Sequence, residues 1–189
     1  MCGRYTMTAT PEALVTHFLL NEPPPFPPRY NIAPSQLVGA IRLCTGSSLR
    51  EPVLLRWGLI PSWAKDPQIG NQCINAKAET VAEKPAFRSA WKTRRCLVIA
   101  TGFYEWQKRG TRKQPLWIGF REQRPFAFAG LWEHWQSPAG EPIESCTILT
   151  TEPNALMQTI HDRMPVILAP ADYDAWLDPL LPHPAILTP

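Results

Sequence analysis

Four side chains stand where a plain structural role is least comfortable. The first is Cys2, in "MCGRY". Once Met1 is removed, Cys2 carries a free α-amine and a thiol on adjacent carbons, a pairing that no other cysteine of the chain can offer. Glu105 lies in "TGFYEWQ", between Tyr104 and Trp106, at the end of a strongly apolar run. Strand alternation would turn it to solvent as an ordinary polar residue. Held partly out of water, it could instead give and take protons as general acid and base. Asn75, in "CINAKAET", suits a turn or helix entry through local backbone bonds, or an amide that donates to a developing oxyanion. His161, in "TIHDRMPVIL", follows a helix-like stretch and precedes a strand-like one. It fits a capping or packed histidine, or a base and proton donor at that junction. His17 and His134 have no comparable setting, and His183 lies in a Pro-rich tail. A thiol, a carboxylate, an imidazole and an amide are also the inventory of a cysteine protease, so side-chain types alone do not choose the reaction.

The chain that must bring these groups together has 189 residues, 44% hydrophobic and 19% charged. That is one globular domain with ample material for a core. No apolar run is long enough to span a bilayer, and no basic stretch followed by an apolar one opens the chain, so a cytoplasmic protein without a secretory signal is expected. The five cysteines (Cys2, Cys44, Cys73, Cys96 and Cys146) are odd in number and widely spaced, with no C-x-x-C and no histidine pair at metal-ligand spacing. A reduced protein without disulfides, metal or cofactor is the expectation, four of the thiols serving as small hydrophobes. The net charge of +3 does not suggest nucleic acid, but its distribution is uneven. Residues 77–124 hold twelve of the 19 Lys and Arg and four of the 16 Asp and Glu, whereas residues 141–189 hold one basic residue, Arg163, against seven acidic ones. A polyanion-binding face is compatible with this segregation. On charge alone, a solvated basic hairpin and an acidic tail are the simpler account.

The elements follow from local signals. Thr10 can cap, and Pro11 can start, a helix over about 11–20 with Leu14, Val15, Phe18 and Leu19 on one side. Five prolines between Pro23 and Pro28 exclude helix and central strand, which leaves an extended surface segment over about 22–34. Strands are expected at 37–43, 52–59, 95–107, 115–120, 125–135, 145–151 and 164–169, with a hairpin turn in the polar "KRGTRK". Helical pieces are expected at 79–92, 153–160 and 171–178. Short connections imply antiparallel pairing. The expected fold is α+β: a single domain with a mostly antiparallel, barrel-like sheet and a few short helices, its core over about 2–178 and a short C-terminal tail beyond.

Seven segments, "MCGRY", "RYNIAPSQ", "WGLIPSWAKDP", "INAKAET", "FYEWQK", the pair Thr150–Thr151 and "HDRMPVIL", resemble in kind and order those of the SRAP family. Its members are SOS-response-associated peptidases, also called abasic-site processing proteins. The resemblance runs from residue 2 to about 170. It implies a protein that recognises abasic sites in single-stranded DNA and attaches itself to them covalently, as a monomer acting on single strands or at single-strand–duplex junctions. It also implies Cys2, Asn75, Glu105 and His161 as catalytic residues, and Arg4, Trp63, Lys77, Thr150 and Arg163 as DNA contacts. Lys77 departs from the arginine that many members carry there, which keeps a point charge for phosphate but loses the bidentate fork. Trp63 would stack on a base or wedge against a duplex end, although with eight tryptophans in the chain a core position is a serious alternative; Trp57 is assigned to the core. Two other functions stay open: a thiol peptidase, acting on its own Met1–Cys2 bond or on other chains through Cys2 and His161, and a noncatalytic reader of modified DNA.

Overall fold

The computed structural model describes residues 2–44, 46–137 and 140–181. Met1, and the tail beyond 181 with His183, lie outside the described residues. In chain order the elements are β1 (Arg4–Met7), α1 (Pro11–Phe18), β2 (Arg29–Ile32), β3 (Leu37–Leu43), β4 (Arg50–Trp57), β5 (Asn75–Lys77), α2 (Arg88–Thr93), β6 (Arg95–Ala100), β7 (Gly102–Arg109), β8 (Arg112–Gly119), β9 (Phe126–Gln136), β10 (Pro142–Thr151), β11 (Met164–Pro165), β12 (Ile167–Leu168) and α3 (Tyr173–Leu177), with 3-10 turns at Pro67–Gln72, Met157–Thr159 and Pro170–Asp172.

The apolar run of β6 is buried along its whole length, so it must be covered on both faces. It obtains that cover as a central stave. β10 pairs with β4, β4 with β3, β3 with β6, β6 with β9, and β9 again with β10, which closes a five-stranded barrel. Closure leaves those strands no free edges. Most pairings are antiparallel, as expected, but β4 and the short β5 both run parallel to β10. A second, four-stranded sheet in the order β2-β1-β7-β8 leans on the barrel. Tyr5 of β1 seals the junction: its ring meets Trp57 at 5.3 Å and Phe128 at 5.8 Å, both edge-on, a favoured arrangement for aromatic pairs. The fold is therefore α+β with a closed barrel inside mixed sheets.

The stretch 95–107, expected as one strand, is two strands in different sheets. The corner is Thr101. Its hydroxyl meets Thr6 Oγ1 at 3.2 Å and Thr8 Oγ1 at 3.0 Å, and its N–H donates to Thr6 O at 2.8 Å. This buried hydroxyl cluster fixes the chain's first strand against the start of β7, with Arg4 opposite Tyr104 and Tyr5 opposite Phe103. The expected helix over 79–92 shrinks to α2, and the residues before it form turns. Pro85 removes a donor and disfavours helical geometry at Lys84. The helical piece at 153–160 is a single 3-10 turn, and 164–169 breaks into β11 and β12. Leu19 does not share the buried side of α1. It takes a left-handed C-cap conformation at φ 52° and points outward, while Leu14 and Phe18 carry the burial. The Pro-rich segment is not wholly superficial either, since Phe26 is buried. A Cβ on Gly39 would sit 2.7 Å from the Phe26 ring, so glycine there makes room for it.

Candidate active site

Cys2 stands just ahead of β1 and is completely buried. Two separate parts of the chain converge on it, and a third reaches Glu105 beside it. From β5, Asn75 Nδ2 donates to the Cys2 carbonyl at 2.9 Å. The pairing of β5 with β10, Ile148 opposite Asn75, holds the amide in place. From β7, Glu105 points inward and is only 2% exposed. Burial, and then the negative charge of Glu105, push the Cys2 thiol well above the usual thiol range, and a backbone hydrogen bond at Arg4 acts the other way; Sγ also lies 3.9 Å from the Arg4 carbonyl, to which the S–H can donate. The thiol is therefore held protonated, with a carboxylate close enough to act on it. From the turn after Met157–Thr159, His161 Nε2 approaches Glu105 Oε2 at 3.9 Å, with 28% of the histidine side chain exposed.

The other histidine nitrogen has two competing neighbours. Nδ1 lies 2.7 Å from Asp162 Oδ1 and 3.0 Å from the Arg163 backbone N–H. One nitrogen cannot donate to the first and accept from the second. The backbone N–H is fixed by the turn, whereas the Asp162 carboxylate is 87% exposed and well solvated. Nδ1 as acceptor is therefore the better assignment, which leaves the Nε2 proton facing Glu105. At 3.9 Å the pair is too long for a hydrogen bond and within reach of one after a small movement or through one water.

Asn75 spends one of its two amide hydrogens on the Cys2 carbonyl, and its Oδ1 is buried with no hydrogen-bond partner among the described residues. Oδ1 is an acceptor, suited to a sugar hydroxyl or to the Cys2 α-ammonium once that group exists.

The remaining expected residues surround this centre at different depths. Lys77, at the end of β5, is exposed. Arg4 Nη1 donates to Asn31 Oδ1 at 3.0 Å. Trp63 is 59% exposed, its Nε1 donating to Pro85 O at 3.3 Å, so it is not a core residue; Trp57 is fully buried. Arg163 is already engaged: Nη1 and Nη2 hold the two Glu79 oxygens at 2.7 and 2.8 Å, and Nη2 also donates to Thr150 O at 2.7 Å. Thr150 is fully buried. It stands behind Arg163 and braces it. Glu79 was not singled out from the sequence, and 84 positions separate it from its partner. Among the described residues no group of His, Cys, Asp and Glu could hold a metal ion, and no helix is long and apolar enough to cross a membrane.

A family model described as SOS response associated peptidase (SRAP) matches residues 1–187. The abasic site processing protein YoaM of Bacillus subtilis is 47% identical over 183 residues, covering 95% of this chain and 80% of its own. YoqW of the same organism, also named an abasic site processing protein, is 44% identical over 183 residues, covering 95% of this chain and 81% of its own. A crystal structure of a protein from Bacteroides thetaiotaomicron matches with a TM-score of 0.86 at 28% identity, over 96% of this chain and 83% of that one.

Proposed function

The chain belongs to the SRAP family, and from that premise we propose that it captures abasic sites in single-stranded DNA as a covalent adduct on Cys2, formed after removal of Met1. An abasic site equilibrates between a closed sugar and a ring-opened aldehyde. The Cys2 α-amine adds to the aldehyde carbon, water leaves, and an imine results. The thiol then adds to the same carbon, its proton passing to nitrogen, and a five-membered thiazolidine closes. An internal cysteine cannot do this, because its nitrogen is an amide. The terminal amine suits this chemistry. At a pKa of about 7.7–8.0 much of it is neutral near pH 7–8, where a lysine at about 10.4 would be charged.

The single observation that carries this reading is the convergence on Cys2 of Asn75, held by its 2.9 Å bond, and the buried Glu105. A protonated thiol must lose its proton as it closes on the imine, and the Glu105 carboxylate is the base beside it. His161, partly exposed and next to Glu105, is assigned the proton that the departing sugar-ring oxygen needs. Asn75 Oδ1 receives the amine or a sugar hydroxyl. Lys77 and Arg4 serve the flanking phosphates, and Arg163 joins them when a phosphate competes with Glu79. Trp63 offers an exposed ring for base stacking. A thiol peptidase built on Cys2 and His161 would want a lowered thiol pKa; burial and Glu105 move it the other way.

The test is to incubate the protein with an abasic single-stranded oligonucleotide, denature it, and weigh the N-terminal peptide. The expected result is DNA on Cys2, Met1 absent, in an adduct that survives denaturation without reductant. Cys2→Ala should stop at an imine trapped only by borohydride. An adduct on an internal lysine, or a stable crosslink by protein that retains Met1, refutes the mechanism.

A further inference from the structure

We propose that Gln107 is a positioning residue for His161: it ties the turn that carries the histidine to the strand that carries Glu105. The inference rests on the function proposed above, in which His161 and Glu105 move protons. Glu105 and Gln107 are two residues apart on β7 and so project from the same face. Across the gap, Thr159 and His161 are also two apart. The pairs meet as two rungs. His161 Nε2 lies 3.9 Å from Glu105 Oε2, and Gln107 Nε2 donates to Thr159 O at 2.8 Å.

A third residue sets the direction of the amide. Arg109 Nε donates to Gln107 Oε1 at 2.8 Å. A guanidinium only donates, so the amide oxygen must face Arg109 and the amide nitrogen must face Thr159. The turn itself is compact: Ile160 N and His161 N both donate to Met157 O at 2.8 Å, and Met157 N donates to Asn154 Oδ1 at 3.0 Å. A tie at Thr159 therefore moves or holds His161 with the rest of the turn. The distance from the imidazole to Glu105 is set from β7, by the hairpin's own side chains. Proton transfer depends steeply on such placement.

Gln107→Glu isolates the hydrogen bond from packing. It keeps the length and can still pair with Arg109, but it has no N–H for Thr159 O. Three quantities are measured: the single-turnover rate of crosslinking to an abasic oligonucleotide across pH, DNA affinity by fluorescence anisotropy, and the melting temperature. The expected result is crosslinking about fivefold slower, the factor for losing one neutral hydrogen bond, with a displaced pH–rate profile and unchanged affinity and melting. Arg109→Ala, which frees the amide to turn over, should slow crosslinking less and in the same way. In a His161→Ala background, Gln107→Glu should slow the reaction no further. A wild-type rate and profile in Gln107→Glu overturns the proposal, and so does equal slowing with and without His161. If His161→Ala alone crosslinks at the wild-type rate, the underlying assignment of His161 fails instead, which is a separate result.

Discussion

Replacing Asn75 by Ala removes the donor 2.9 Å from the Cys2 carbonyl and leaves that buried acceptor unpaired. An unsatisfied buried acceptor costs about 1–3 kcal/mol. At roughly 3 °C per kcal/mol for a domain of this size, the melting temperature should fall by about 3–9 °C. The same bond holds the reacting residue in position, so its loss should also appear in the barrier. About 1.4 kcal/mol corresponds to a tenfold slower crosslink. Asn75→Asp separates shape from donor capacity. Its carboxylate keeps the outline of the amide and offers no hydrogen to the carbonyl, so at neutral pH it should be at least as slow as Asn75→Ala. As pH falls the carboxyl gains a proton it can donate, and its rate relative to wild type at the same pH should rise. The assay is single-turnover crosslinking to an abasic oligonucleotide read on a denaturing gel, with binding followed separately by anisotropy. Wild-type rate and melting in Asn75→Ala would refute the anchoring role. An Asn75→Asp variant whose relative rate is flat across pH would refute the donor argument.

Glu105→Gln and His161→Ala should each slow crosslinking by about 10²–10⁴-fold, the usual reach of general acid–base catalysis, while anisotropy shows DNA binding intact; normal kinetics in both would leave Cys2 acting largely alone. Lys77→Ala should reduce the log–log salt slope of single-strand binding by about 0.7, one phosphate contact, and Arg163→Ala by less, because Glu79 already neutralises that guanidinium; titrations that overlay wild type for both variants would misplace the groove. Burial raises the Cys2, Cys96 and Cys146 thiols above their ordinary value of 9.0. The folded chain keeps those protons and the unfolded chain releases them above pH 9, so stability is full below that pH and falls as it rises. The slope should approach about 1.4 kcal/mol per pH unit for each thiol, or about 4 for the three. Denaturant unfolding at pH 8, 9 and 10 checks this, and a flat profile would contradict it. Glu79 is shifted the opposite way, held below the usual carboxylate range chiefly by its bonds to Arg163. Its pair should therefore persist under mild acid and weaken only as pH falls through that lowered value, which carboxylate NMR titration of Glu79 would report.

Local chemistry in the sequence determined the groups available and several of the elements. A cap, a starting proline and a short apolar period placed α1; an unbroken apolar run marked β6; and β3 came out at 37–43 as expected. The seven motif segments carried the family and pointed to Cys2, Asn75, Glu105 and His161 as the candidate site, because chemically able groups are recognised by type. Only the tertiary structure decided how those groups use their atoms. Asn75 spends one amide hydrogen on Cys2 and keeps its acceptor. Thr150 is a buried brace, and Arg163 is already held by Glu79. Trp63 is exposed where Trp57 is buried. The extended run 95–107 turns a corner at Thr101 because hydroxyls of Thr6 and Thr8, more than ninety positions earlier, are there to receive it. Periodicity and capping act over a few residues, whereas the pairing of β1 with β7 and of β5 with β10 joins segments roughly seventy to a hundred residues apart. Propensity is silent on such contacts; they arise when the barrel closes and leaves each inward-facing side chain one neighbourhood to fill.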